Sequence, residues 1–247
     1  MATLEVDRVL FKNILAVLFD KDGTLEDSRV KLTISGQARS RLLDSYAPGI
    51  GELLLKEFGI TPGGLDPAGL MAVGSRQENE IAAVNHLAKM GWDWPEALQL
   101  VRHTFAIADR ELQALSPAPL FEDCLPVLKS LSAFNLKLGI LSAASSDSVQ
   151  GLINRYDLAP YLQLAMGVDT GPSKPDPRLF YQACQGLGVS PATTIMIGDA
   201  SVDMQMARDA GAAGCVGIAR QGNIPQLLKF ADVVIQHLTQ IQVISRC

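Results

Sequence analysis

A chain of 247 residues, 48% hydrophobic and 19% charged, is long enough for one sizeable core plus a modest insert and too apolar for extended disorder. A formal net charge of −5 with no Lys/Arg cluster argues against nucleic-acid backbones and anionic membrane surfaces as partners. No segment approaches the ~18 uninterrupted apolar residues of a bilayer span.

The N-terminal MATLEVDRVLFKN carries acids and no apolar run of signal-peptide length. Cys124, Cys184, Cys215 and Cys247 lack CxxC or metal-type spacing, and the first three read as small apolar residues in a reducing compartment. The expected setting is therefore cytoplasmic. The first strand-like run is ILAVLF (14–19), too short for a helix and without polar alternation, as for a parallel strand covered on both faces. It ends abruptly in Asp20, Lys21 and Asp22, followed by Gly23 and Thr24.

From Asp27 to Ser116 the pattern turns helical, in QARSRLLDSY, GELLLKEFG, NEIAAVNHLAKMG and PEALQLVRHTFAIADRELQAL. Pro95 and Glu96 suit the first turn of the last helix, and the Gly/Pro-rich ITPGGLDPAGLMAV reads as a loop with one short helix. Beyond SPAP (116–119), strand runs alternate with amphipathic segments: LPVLKSLSAF, LKLGIL (136–141), SVQGLINRYDL, LAMGV (164–168), DPRLFYQACQGLGV, TIMIG (194–198), VDMQMARDAGA, AGCVGIA (213–219) and DVVIQ from Asp232. Such alternation predicts an α/β fold with a doubly wound parallel sheet, whose ligands sit beyond the C-terminal strand ends. Residues 1–26 and 117–247 are expected to form this core, with 27–116 as a second, smaller all-helical domain inserted after its first strand.

Each strand end carries a polar group. Alternation along an extended chain puts Asp20 and Asp22 on one side and Lys21 on the other. A cation cancelling the acids is the rival reading, set aside because adjacent side chains on extended chain rarely meet. Gly23 permits a tight turn around whatever the acids hold. Asp199 and Asp203, four residues apart at the start of a helix, share one face. If the two strands are neighbours, three or four carboxylates meet, and mutual repulsion then demands a cation. Oxygen ligands without His or Cys favour a hard ion, Mg²⁺ before Ca²⁺. Ser142, ending a strand in GILSAAS, offers a hydroxyl and the backbone N–H groups of its turn. Lys174, between Pro172 and Pro175, can neutralise a phosphate or steady a carboxylate nucleophile.

In this order FDKDGTLEDS, LSAAS, SKPDP and GDASVD resemble the four motifs of the haloacid dehalogenase superfamily, and the helical insert resembles its small helical cap. The resemblance implies that Asp20 is the nucleophile, forming an aspartyl-phosphate, and that Asp22 acts as general acid and then base. It implies Mg²⁺ held by Asp20, the Asp22 carbonyl and Asp199, with Asp203 assisting directly or through water. Asp20, Gly23, Thr24, Ser142, Ala143 and Lys174 would surround the phosphoryl group, Lys174 also offsetting charge near Asp20. Lys21 stands where an apolar residue is frequent, Ser142 where Thr is common, and Ala200 where Ser is common.

In the insert, Ser75, Arg76 and Glu78 begin a helix; Arg76 is the candidate substrate contact, against a solvated helix start as the simpler reading. His86 and His103 read as packing or solvated residues, Trp92 and Trp94 as anchors of the insert. The implied activity is Mg²⁺-dependent hydrolysis of a small phosphorylated metabolite, phosphoglycolate-phosphatase-like, with no nucleic-acid or membrane partner and a monomer or homodimer as the assembly. A sugar phosphomutase is the alternative, and a non-catalytic binding protein on the same fold a third reading. A dehalogenase should lack Asp22, and a phosphonate-cleaving enzyme should replace it by a small residue.

Overall fold

The computed structural model describes residues 1–112, 116–220 and 229–246; Cys247 and the last three residues of the expected helix PEALQLVRHTFAIADRELQAL, 113–115, lie outside that part. The chain opens with β1 (Ala2–Val6), β2 (Val9–Ile14) and β3 (Ala16–Phe19). It continues through α1 (Arg29–Asp44), α2 (Ile50–Phe58), β4 (Ile60–Thr61), β5 (Gly64–Leu65), α3 (Leu70–Val73), α4 (Arg76–Lys89) and α5 (Trp94–Leu112). Next come α6 (Cys124–Ala133), β6 (Lys137–Leu141), α7 (Ser146–Arg155), β7 (Leu164–Met166) and α8 (Pro177–Leu187). The remaining elements are β8 (Thr194–Gly198), α9 (Ser201–Asp209), β9 (Gly214–Ile218), β10 (Val233–Ile235) and β11 (Ile241–Arg246). Two compact units result, residues 1–27 with 120–247, and residues 28–119.

The first unit is built on a parallel six-stranded sheet in the order β10-β9-β8-β3-β6-β7. Each strand-like apolar run contributes one of these strands, and β3 is buried along its whole length, as a central strand with both faces covered must be. On one face Val17, Phe19, Leu138, Ile140, Ile195 and Ile197 pack beneath α6 and α7; on the other Leu18, Leu141 and Met196 meet α8 and α9. The N-cap Asp176, Pro177 in the first turn and Gly188 at the C-cap give α8 its limits.

The sequence pattern misses a second, antiparallel sheet of order β11-β1-β2. Leu4, Val6, Phe11 and Ile14 from it join the same buried cluster as α6 and α7. Its hairpin turns on Asp7 and Arg8, both at positive φ (44° and 72°), between the paired Val6 and Val9. That two-residue turn needs left-handed backbone, which Asp-Gly signals and Asp-Arg does not. Arg8→Gly is therefore expected to stabilise the unit by about 1 kcal/mol, read as a rise in the urea midpoint.

The second unit packs α1, α2, α4 and α5 around Leu43, Leu54, Phe58, Val84, Leu87 and Phe105. Phe58 and Phe105 meet edge to face with ring centroids 6.3 Å apart. ITPGGLDPAGLMAV is more than a loop with one helix, for β4 and β5 form an antiparallel ribbon ahead of α3. A capping box between Ser75 and Glu78 starts α4. Trp92 packs against this core, whereas Trp94 is 46% exposed. Among the described residues no helix is long and apolar enough to cross a membrane.

Candidate active site at the strand ends

β3 lies between β6 and β8 in a register that sets Phe19 beside both Ile140 and Ile197. The residues that follow these strands, Asp20, Ser142 and Asp199, therefore leave the sheet within one residue of the same level, where the strand order reverses. The Asp20 N–H donates to the Ile197 carbonyl at 2.8 Å, which continues the ladder one residue past β3 and fixes the first acid.

Past Asp20 the chain does not stay extended. The N–H groups of Leu25 and Glu26 donate to the Lys21 carbonyl (2.9 and 3.1 Å), and Gly23 N–H donates to the Glu26 carbonyl (2.9 Å). This turn corrects the expectation that Lys21 points away from the acids. Its ammonium lies 2.7 Å from Asp22 Oδ1 and 2.6 Å from Glu26 Oε1, with only 2% of the residue exposed. Alternation fails as a guide because the strand has already ended at Phe19. Gly23, at φ +79°, faces Asp199 so closely that an added Cβ would stand 2.0 Å from Asp199 Oδ2. Thr24 is fully buried; its side-chain hydroxyl has no hydrogen-bond partner among the described residues, and its carbonyl accepts from Arg220.

Lys174, 4% exposed, reaches both Asp20 Oδ1 (2.5 Å) and Asp203 Oδ1 (2.6 Å). Asp203 occupies the third position of α9, where its Oδ2 also accepts from the Ala200 N–H at 3.2 Å. A Cβ on Gly198 would stand 2.4 Å from that same Oδ2, so glycines admit both acids of GDASVD. Asp199 precedes the helix rather than sharing a face of it with Asp203, yet Asp20, Asp199 and Asp203 each bring a carboxylate oxygen within 4.8 Å of the others. Ser142 is 1% exposed; its N–H donates to the Met166 carbonyl (2.9 Å) and its Oγ accepts from Ala144 N–H (3.1 Å), which curls Ala143 and Ala144 into the turn before α7.

Charge in this cluster is poorly balanced. Burial pushes the Asp20 carboxyl up to about 7 against the pull of Lys174, with Asp203 and Asp22 adding repulsion. Asp199 is driven well above the usual carboxylate range, first by burial and then by Asp20 and Asp203. Burial disfavours the Lys174 charge, but Asp20 and Asp203 outweigh it and hold the ammonium above its usual range. The Asp22–Lys21–Glu26 and Asp20–Lys174–Asp203 groups each set one cation between two acids, and Asp199 adds a further carboxylate. Oxygen donors in excess of positive charge, with glycines clearing the space in front of them, fit a hard divalent cation.

Three supports of this site escape sequence reasoning: Glu26, Gly198 and Arg220. Arg220 lies over the Phe121 ring at 3.8 Å, donates to the Thr24 carbonyl at 2.9 Å and pairs with Asp123 at 2.8 Å. A buried lysine requires an acid partner, so the acids after DGT were a usable signal for Glu26; nothing local signals Arg220.

Within the helical unit, Arg76 pairs with Glu80 (2.8 Å) and with Asp109, which also takes Arg39 (2.9 Å), and both guanidinium groups lie over Phe105 at 5.0–5.2 Å. It is a tied arginine rather than a solvated one. His86 approaches Glu57 (3.6 Å), and His103 is exposed.

The family model of haloacid dehalogenase-like hydrolases matches residues 14–211. A phosphoglycolate phosphatase of Chromobacterium violaceum is 28% identical over 84% of this chain and 85% of its own. The validoxylamine A 7'-phosphate phosphatase of Streptomyces hygroscopicus subsp. limoneus is 24% identical over 91% and 94% of the two chains. A solved structure from Haemophilus somnus, described as a predicted phosphoglycolate phosphatase, shares the fold with a TM-score of 0.68 at 19% identity, over 92% of this chain and 96% of the other. Acids, lysine and hydroxyl gathered at the switch point of a doubly wound sheet, together with a match over most of its length, make this chain a haloacid dehalogenase-like hydrolase.

Proposed function

We propose that the chain is a Mg²⁺-dependent phosphatase of a small phosphorylated metabolite. The carrying observation is the buried convergence of Asp20, Asp199 and Asp203 with Lys174 against Asp20. In this reading the carboxylates of Asp20 and Asp199 and the backbone carbonyl of Asp22 would hold the ion, and Asp203, ion-paired to Lys174 and accepting from the Ala200 N–H, would brace Lys174 and the α9 start and assist the ion directly or through water. When bound, the cation would supply positive charge that offsets the charge of the phosphoryl group. An Asp20 oxygen attacks phosphorus, the bond from phosphorus to the leaving oxygen breaks, and Asp22 delivers a proton to that oxygen. Water, giving its proton to Asp22, then attacks phosphorus and frees Asp20 and inorganic phosphate. Lys174, the Ser142 hydroxyl and the N–H groups of Thr24 and Ala143, beside the Gly23 turn, steady the charged oxygens, the main demand of phosphoryl transfer.

The relatives' names agree on a phosphate monoester and differ in the rest of the molecule. The test is a panel of 2-phosphoglycolate, sugar phosphates and nucleotides, offered to chain stripped with EDTA and then given Mg²⁺. Phosphate release should appear only with Mg²⁺. The ion should also raise the unfolding midpoint, by the equivalent of about 3 kcal/mol at a hundredfold excess over its dissociation constant. Undiminished release in EDTA would exclude the metal, and turnover dependent on a bisphosphate without free phosphate would move the chain to the mutases.

A further inference from the structure

The phosphatase reading leaves one buried charge idle. Lys21 is 2% exposed and Glu26 3%, and their ammonium and carboxylate meet at 2.6 Å, an ion pair separate from those that join Lys174 to Asp20 and Asp203. Burying such a pair costs several kcal/mol of desolvation, and an apolar side chain between the two aspartates would avoid that cost. What the pair adds is a fixed neighbour for Asp22, whose Oδ1 lies 2.7 Å from Lys21 Nζ. The backbone holds the clamp rigid: Glu26 bridges to Asp22 on one side and Leu120 on the other, and its N–H returns to the Lys21 carbonyl at 3.1 Å.

We propose that Lys21, held by Glu26, is a positioning residue that aims the Asp22 carboxyl at the leaving-group oxygen. The inference rests on the reading of Asp22 as the proton donor. Tying one carboxyl oxygen fixes the direction of the other, and proton transfer is sensitive to such aim because a misplacement near 1 Å costs about 10²-fold. Glu26 gives the ammonium a second counter-charge, so Lys21 stays compensated whether Asp22 holds its proton or has given it up. The clamp thus serves both halves of the reaction without leaving its place.

A leaving-group series reads this directly. p-Nitrophenyl phosphate departs with little help, phenyl phosphate needs more, and benzyl phosphate needs a proton delivered to its oxygen. In saturating Mg²⁺, Lys21→Met should lower kcat/KM for benzyl phosphate by about 10- to 100-fold and for p-nitrophenyl phosphate by less than about threefold. The Mg²⁺-induced rise in unfolding midpoint should match that of the native chain, since the ion's ligands are untouched. If Lys21→Met does not fold, because Asp22 and Glu26 then lack their cation, the double variant Lys21→Met/Glu26→Gln removes the stranded charge and is read instead. Equal losses across the series, or none for benzyl phosphate, overturn the clamp. Asp22→Asn, run alongside, separates the two failures. Leaving-group discrimination in Asp22→Asn without it in Lys21→Met sinks the clamp alone, whereas its absence from Asp22→Asn sinks the proton-donor reading and the clamp with it.

Discussion

Asp20→Asn should abolish phosphate release, by about 10⁴-fold or more, while making the metal-free protein more stable near pH 8. An amide cannot attack phosphorus, so nothing replaces the lost nucleophile. Stability moves the other way because the buried Asp20 carboxyl, 6% exposed, is pushed up to about 7 from an ordinary 3.8. Below about pH 4 the group is protonated in both states and costs nothing. As pH rises toward 7 the unfolded chain releases the proton and the folded chain retains it, so folding stability falls across that interval. Asparagine has no proton to lose, and the variant should gain on the order of a few kcal/mol over the native chain at pH 8 in EDTA. That gap should close near pH 4. Urea unfolding at the two pH values, with phosphate release measured on the same samples, checks both halves. Retained turnover would remove Asp20 as nucleophile; equal stability at pH 8 would mean that its charge is already compensated without metal.

The parallel sheet was legible because burial on both faces leaves uninterrupted apolar runs, and each run from ILAVLF to DVVIQ became a strand. The antiparallel sheet was not. Its strand β2 is half-exposed, its turn is Asp-Arg, and its third strand comes from the far end of the chain. Within the site the spacing of Asp20, Lys174, Asp199 and Asp203 could be read, since each follows a run that had to end at the sheet's edge. The orientation of Lys21 could not, because it depends on a turn closed by Glu26 and not on the strand before it. Arg220 shows the same limit at long range. It holds the Thr24 carbonyl from 196 residues away, and only the assembled sheet brings it there.

Lys174→Met should cost both activity and stability, and the pH dependence of the second loss tells whether charge is its cause. In the native chain one ammonium, 4% exposed, sits 2.5 Å from Asp20 and 2.6 Å from Asp203. Methionine fills similar space without charge, so the variant strands two buried carboxylates, a loss of about 3–5 kcal/mol when one partner of a buried ion pair is removed. At pH 4 the Asp20 share of that penalty should vanish, because its protonated carboxyl needs no cation; at pH 8 in EDTA it should be at its largest. Adding Asp20→Asn to Lys174→Met should return part of the lost stability, a coupling that distant, independent residues would not show. Activity should fall by about 10²- to 10³-fold even in excess Mg²⁺, as for other groups that stabilise developing charge. An unfolding midpoint that drops equally at pH 4 and pH 8 would assign Lys174 to packing rather than to charge. No coupling with Asp20 would break the link between the two residues on which the proposed nucleophile's surroundings depend.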